Sequence, residues 1–175
     1  MSKEMSPVLS GNEIAQRVKS LARQISKDYA EKELRIIGVL NGAFVFLADL
    51  VRGLTIPVQI DFVRLASYGS GTESSGNVRI TKEIELNLKD CDVLIVEDIV
   101  DSGLTVDFLI DYLKQFYPKS VKVCTLLDKT GRRQVEVPID YVGHVVESGF
   151  LVGYGLDFDQ RYRELPGIYH LNLVP

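Results

Sequence analysis

The chain has 175 residues and a net charge of −4, with 46% apolar and 25% charged residues. That length suits one domain with one core, and the composition is that of a folded chain. The acidic balance argues against a nucleic-acid partner. No apolar run approaches the ~20 residues of a membrane span, and "MSKEMSPVLSGNEIA" lacks the apolar core of a secretory signal, so a cytoplasmic protein with no membrane partner is expected.

In chain order, "LSGNEIAQRVKSLARQISKDYAEK" places Ile14, Val18, Leu21, Ala22 and Ile25 on one face. This predicts a helix from about Gly11 to Tyr29, capped by Ser10 or Asn12. "LRIIGVL" reads as a short buried strand, and "NGAFVFLADLVRGL" as a helix opening on a Gly-containing turn. "VQIDFVRLAS" is β-branched and alternating, a strand, and "VRITKEIEL" pairs back on it as the second arm of a hairpin. The Gly- and Ser-rich stretch between them, Tyr68 to Gly76, is long enough to close as a lid. "DVLIVED" is the next buried strand; "TVDFLIDYLKQFY" is a helix with Val106, Leu109, Ile110 and Leu113 inward, stopped by Pro118. "SVKVCTLLDK", "IDYVGHVVES" and "GIYHLNLVP" read as later strands.

Strands alternating with helices imply an α/β fold with a mostly parallel sheet covered on both faces. Ligands in such sheets bind beyond the carboxyl ends of the strands. Residues 40–43, 67–77, 97–105 and 128–133 therefore carry the functional reading. Cys91 and Cys124 are the only cysteines, and Cys124 sits in an apolar run as a core residue. His144 and His170 have no nearby Cys or His partner in the sequence, which gives little support to a zinc site or a Ser–His triad.

The stretch "VLIVEDIVDSGLTVDFL" joins a buried strand to a helix through a small-residue turn. The first amides of such a helix have no partners within it and, with the helix dipole, favour an anion. Ser102 and Thr105 add hydroxyl donors, and Gly103 permits close approach, so a phosphate monoester fits. The spacing is not that of a P-loop. Glu97 and Asp98 accept hydrogen bonds and suit a sugar diol. A phosphate cradle beside a diol acceptor describes a ribose 5-phosphate site, with Asp101 facing the anomeric carbon. The same pattern also fits a solvated strand end with Asp101 as a helix cap, or a response-regulator-like domain whose strand-end carboxylates hold Mg²⁺.

With those residues in view, "VLIVEDIVDSGLT" resembles the phosphoribosyl diphosphate (PRPP) signature of the type I phosphoribosyltransferases. "LNGAFVFLADL", "SYGSG", "LLDK" and "FLVGYGLDFDQRYRELPGI" extend the resemblance to the C-terminus and to the bacterial hypoxanthine and hypoxanthine-guanine branch. The resemblance implies one domain over residues 1–175, with a core over roughly 30–145 and a small hood over roughly 146–175 joined by part of the N-terminal region. It implies transfer of phosphoribosyl from PRPP to N9 of hypoxanthine or guanine with Mg²⁺, giving IMP or GMP and pyrophosphate, in a homodimer or homotetramer. A xanthine-preferring enzyme and a non-catalytic PRPP-binding regulator remain the rival readings.

The resemblance also assigns residues. Glu97 and Asp98 would bind the ribose hydroxyls, partly through Mg²⁺, and Asp101, Ser102, Gly103, Leu104 and Thr105 would hold the 5′-phosphate. Asp101 would accept the proton of purine N7, Lys129 would donate to the 6-oxo group, Phe150 would stack on the base, and the Leu151 backbone would read its edge. Asp157 would touch a second Mg²⁺ and lie near the base 2-position, and Arg163 would bind pyrophosphate. Leu40, Asn41 and Gly42 would form the pyrophosphate loop, often with a non-proline cis bond, while Ser67 and Tyr68 would belong to the lid. Many relatives carry a basic residue where this chain has Asn41, and some carry lysine in place of Leu104. Arg132, Arg133, Arg161 and Arg163 read together as a basic surface patch, of which only Arg163 matches the family site.

Overall fold

The computed structural model describes residues 3–67 and 78–173. Its elements are β1 (Lys3–Leu9), α1 (Gly11–Asp28), β2 (Leu34–Leu40), α2 (Phe44–Gly53), β3 (Val58–Ser67) and β4 (Val78–Lys82). They are followed by β5 (Asp92–Val100), α3 (Leu104–Lys114), β6 (Ser120–Lys129), β7 (Tyr141–Val146), β8 (Leu151–Val152) and β9 (Ile168–Leu173). One sheet has the order β4-β3-β2-β5-β6-β7, and β1, β9 and β8 form a second, three-stranded sheet. In the large sheet β3, β2, β5, β6 and β7 are parallel; β4 lies antiparallel on the edge.

The central strands read as unbroken apolar runs because both of their faces are covered. Ile36, Leu94, Val96 and Cys124 pack against α1 and α2. Their alternate neighbours Ile37, Val93, Ile95 and Val123 pack against α3. α1 starts where Ser10 and Glu13 exchange side-chain-to-backbone bonds in a capping box, and its buried stripe is Ile14, Val18, Leu21, Ala22 and Ile25. Both cysteines are buried free thiols.

Several expected boundaries shift. α3 ends at Lys114, ahead of Pro118, because tight turns from Gln115 to Tyr117 close the helix first. β4 ends at Lys82, since the Glu85 and Leu86 amides bond to the Asp61 carboxylate instead of a strand. β1 and β8 are additions to the sequence reading. β1 gains its strand form from antiparallel pairing with β9, which runs from Lys3↔Leu173 to Leu9↔Ile168. The second sheet thus joins the two ends of the chain over the carboxyl side of the large sheet. Among the described residues, no helix is long and apolar enough to cross a membrane.

Candidate active site

The chain leaves β2 toward β3 on one side of the sheet and leaves β5 toward β6 on the other, so the strand order reverses between β2 and β5. A crevice forms at such a reversal. Here the pairing itself opens it. β5 stays bonded to β6 as far as Val100↔Asp128, but to β2 only as far as Gly38↔Val96. Glu97 and Asp98 are the first residues past that parting.

Both carboxylates are nonetheless buried, at 6% and 8% exposure. Burial, with the adjacent Asp98 charge, lifts Glu97 well above the ordinary carboxylate range. Burial also raises Asp98, opposed by its hydrogen bonds with Glu97 and the Ile99 amide and by the charge of Arg163. Across the crevice the Leu40–Asn41 peptide is cis. A Cβ on Gly42 would overlap the Asp98 carboxylate, so glycine is what lets the β2 loop lie against β5. The second sheet closes on the same point, where Gly155 rests on the Gly42 carbonyl.

Past Val100 the chain turns into α3. The N-cap is Gly103, left-handed at φ 86°, and the Asp101 carboxylate is turned to Lys129 rather than to the helix start, so Asp101 is not a helix cap. Asp101 instead pairs with Lys129 at the end of β6, Nζ to Oδ2 3.0 Å. Lys129 is 7% exposed, far from a solvated surface lysine. The other Asp101 oxygen, Oδ1, is buried without a hydrogen-bond partner among the described residues. A buried acceptor left open costs free energy and points to a donor supplied by a ligand.

Two concavities meet at Asp98, Ile99 and Asp101. The smaller, about 250 Å³, is lined by Glu97, Ser102, Gly103 and Thr105 beside those three. Leu104 is not among its lining residues; its amide faces the Ser102 hydroxyl at 3.4 Å. The larger, about 360 Å³, brings in Asn41, Gly42, Lys129, Phe150, Leu151, Asp157 and Arg163. Leu40 lines neither and ends β2 half-buried. Phe150 is 48% exposed with Phe158 edge-on to it at 5.6 Å, which leaves a ring face available for stacking. Arg163 bonds the Gly155 carbonyl at 2.6 Å and pairs with Asp157 at 2.9 Å. Ser67 ends β3 opposite Val78. Tyr68 and the expected lid up to Gly76 lie outside the described residues.

Of the four arginines, Arg133 turns away from the surface. Arg132 lines the larger cavity. Arg133 points inward and pairs with Asp128, its side chain 11% exposed. Nothing in the sequence distinguishes these two adjacent residues, since the burial of Arg133 depends on which way the loop after β6 folds back.

Divalent metal fits this chemistry. Two adjacent buried carboxylates are hard oxygen donors whose ionisation a cation would restore. Among the described residues no three such ligands gather at one point. Glu97 lines only the smaller concavity and Asp157 only the larger, a spacing that would suit an ion keeping waters and substrate phosphates as its remaining ligands.

The chain resembles known proteins along most of its length. A family model described as the phosphoribosyl transferase domain matches residues 5–159. The hypoxanthine phosphoribosyltransferase of Haemophilus influenzae is 45% identical over 161 residues, covering 90% of each chain. The hypoxanthine-guanine phosphoribosyltransferase of Aquifex aeolicus is 43% identical over 168 residues, 95% of this chain and 94% of its own. A crystal structure of a Bacillus anthracis hypoxanthine-guanine phosphoribosyltransferase, with a HEPES molecule in its active site, superposes with a TM-score of 0.90 at 42% identity, covering 98% of this chain and 100% of that one.

Proposed function

The chain belongs to the phosphoribosyl transferase domain family, and from that premise we propose that it is a purine-salvage transferase. It moves the 5-phosphoribosyl group of PRPP to N9 of hypoxanthine or guanine, giving IMP or GMP and pyrophosphate. The observation that carries this reading is the Lys129–Asp101 pair, with Asp101 Oδ1 left open. A 6-oxopurine protonated at N7 presents an acceptor and a donor side by side. Lys129 meets the oxygen and Asp101 meets the N–H. Adenine offers an amino donor in place of the oxygen and is disfavoured beside an ammonium.

The other residues take roles around that pair. The amides of Ser102 to Thr105 hold the 5′-phosphate at the start of α3. Glu97 and Asp98 accept from the ribose hydroxyls and, with Asp157, are the carboxylates that would hold Mg²⁺. When bound, the metal neutralises the pyrophosphate leaving group and acts as a Lewis acid. The amides of the Leu40–Gly42 loop and the Arg163 guanidinium orient that pyrophosphate. As the C1′–O bond breaks, positive charge grows on the ribose ring, and Asp101 stabilises it electrostatically. As N9 bonds to C1′, N7 becomes acidic and Asp101 takes its proton, a contribution of roughly 10²–10⁴-fold. Phe150 stacks on the base and the Leu151 backbone reads its edge. The enzyme works in the cytoplasm, in keeping with its two free thiols, as a homodimer or homotetramer.

The test is turnover of hypoxanthine, guanine, xanthine and adenine with PRPP and Mg²⁺, beside Asp101→Ala. Monophosphate should form from hypoxanthine or guanine, adenine should be inert, and the variant should lose roughly 10²–10⁴-fold in kcat. A strong preference for xanthine would reassign the base. PRPP binding without turnover of any base would make the protein a regulator.

A further inference from the structure

Arg133 has no part in these roles, yet it grips the turn that carries them. Its Nε donates to the Asp101 carbonyl at 3.0 Å. Its Nη2 reaches the Val100 and Lys129 carbonyls, each at 3.4 Å. The same nitrogen pairs with the Asp128 carboxylate, and the two side chains are 11% and 18% exposed. The next two residues continue the grip: the Gln134 and Val135 amides donate to the Ser102 carbonyl at 2.9 and 3.0 Å. The contact is close enough that a Cβ on Gly103 would overlap the Val135 carbonyl.

The segment 133–135 therefore holds the carbonyls of Val100, Asp101 and Ser102. In a planar trans peptide the C=O of one residue and the N–H of the next point in opposite directions. Fixing the Asp101 and Ser102 carbonyls outward aims the Ser102 and Gly103 amides the other way, into the smaller concavity. A carbonyl turned inward there would repel an anion. Arg133 is not among the residues lining either concavity, so it acts through the turn. It also touches the end of β6 through the Lys129 carbonyl, which ties the strand bearing Lys129 to the turn bearing Asp101.

We propose that Arg133, neutralised by Asp128, is a positioning residue that orients the phosphate-binding amides. The assignment rests on the phosphoribosyl reading of that turn. Arginine suits it because one planar guanidinium spreads donors over several carbonyls and a carboxylate; a lysine ammonium keeps the charge without the fork. Its shortest carbonyl bond goes to Asp101, next to the phosphate amides, so the ligand carrying the phosphate should suffer most.

Arg133→Lys and Asp128→Asn are therefore measured for kcat and for the KM of PRPP and of hypoxanthine, at a temperature well below each melting midpoint. Arg133→Lys should raise the PRPP KM about ten-fold, the scale of one lost charge-assisted hydrogen bond. The hypoxanthine KM should move by less than about three-fold, with Asp128→Asn following in the same direction to a smaller extent. A role confined to folding leaves both KM values unchanged and lowers kcat in proportion to the folded fraction, and that result overturns the assignment. Wild-type kinetics in Arg133→Lys overturn it too. Wild-type turnover in the same assay separates the two claims. An inactive wild type defeats the proposed function, whereas an active wild type with an unaltered Arg133→Lys defeats only the positioning role.

Discussion

Asp61 and the Glu97–Asp98 pair are buried carboxylates on β3 and β5, the two strands that flank β2, and their surroundings differ in kind. Asp61 accepts from the amides of Glu85 at 2.6 Å, Phe62 at 2.7 Å and Leu86 at 3.0 Å, and from Lys82 Nζ at 3.1 Å. Burial works to raise its pKa, but these donors more than reverse that and hold it below its ordinary value. Among the described residues Glu97 and Asp98 have no comparable set of donors, and burial leaves both raised. The first carboxylate is complete within the fold and closes the β3–β4 edge. The second pair is incomplete until something positive or hydrogen-donating arrives. Charge burial of similar degree thus marks a structural joint in one place and a ligand site in the other.

The largest expected effect tests the incomplete pair. Glu97→Gln with Asp98→Asn removes two charges that the ligand-free fold does not use. PRPP-dependent kcat/KM should fall by roughly 10³-fold, the loss of two charged hydrogen-bonding groups. The melting midpoint of the ligand-free protein should rise. A lower midpoint would mean that the pair supports the fold as Asp61 does, and the contrast would collapse.

Asp61→Ala is the converse. It leaves three amides and the Lys82 ammonium without their shared acceptor and should cost about 3 kcal/mol of stability. Below the melting transition, kcat should stay within about two-fold of wild type, because Asp61 lines neither concavity. Denaturant unfolding with parallel kinetics decides this. A variant of full stability and poor activity would move Asp61 into the functional class.

The sequence makes parts of this picture visible and hides others for identifiable reasons. β2, β5 and β6 and the stripe of α1 are legible because burial on two faces or one leaves a plain apolar pattern. β1 is hidden because "KEMSPVL" carries charge and a proline and becomes a strand only by pairing with residues at the far end of the chain. The phosphate turn is legible because residues 97–105 are contiguous and their chemistry is local. The base side draws on the ends of β2 and β6 and on the second sheet, so Lys129 and Phe150 acquire roles only through resemblance. The Lys129–Asp101 pair and the inward turn of Arg133 depend on how those strand ends meet in space, which neither spacing nor composition encodes.

The smallest effect is a dependence on pH whose sign differs between the two regions. Asp61 has a depressed folded pKa, so its stabilisation is present above the unfolded value of about 4 and is lost as pH falls through the lower folded value. The stability gap between wild type and Asp61→Ala should therefore be full at neutral pH and narrow in acid. Glu97 has a raised folded pKa, so the fold's preference for its protonated form is complete below the unfolded value of about 4.3 and is lost as pH rises through the folded value. The advantage of Glu97→Gln over ligand-free wild type should be smallest near pH 4 and grow toward alkaline pH, by at most about 1.4 kcal/mol per unit. Denaturant midpoints of the three proteins across that range give both slopes. A flat Glu97→Gln advantage would mean that the Glu97 carboxyl is as well provided for in the empty site as Asp61 is on its edge, and the pair would no longer identify where the ligand binds.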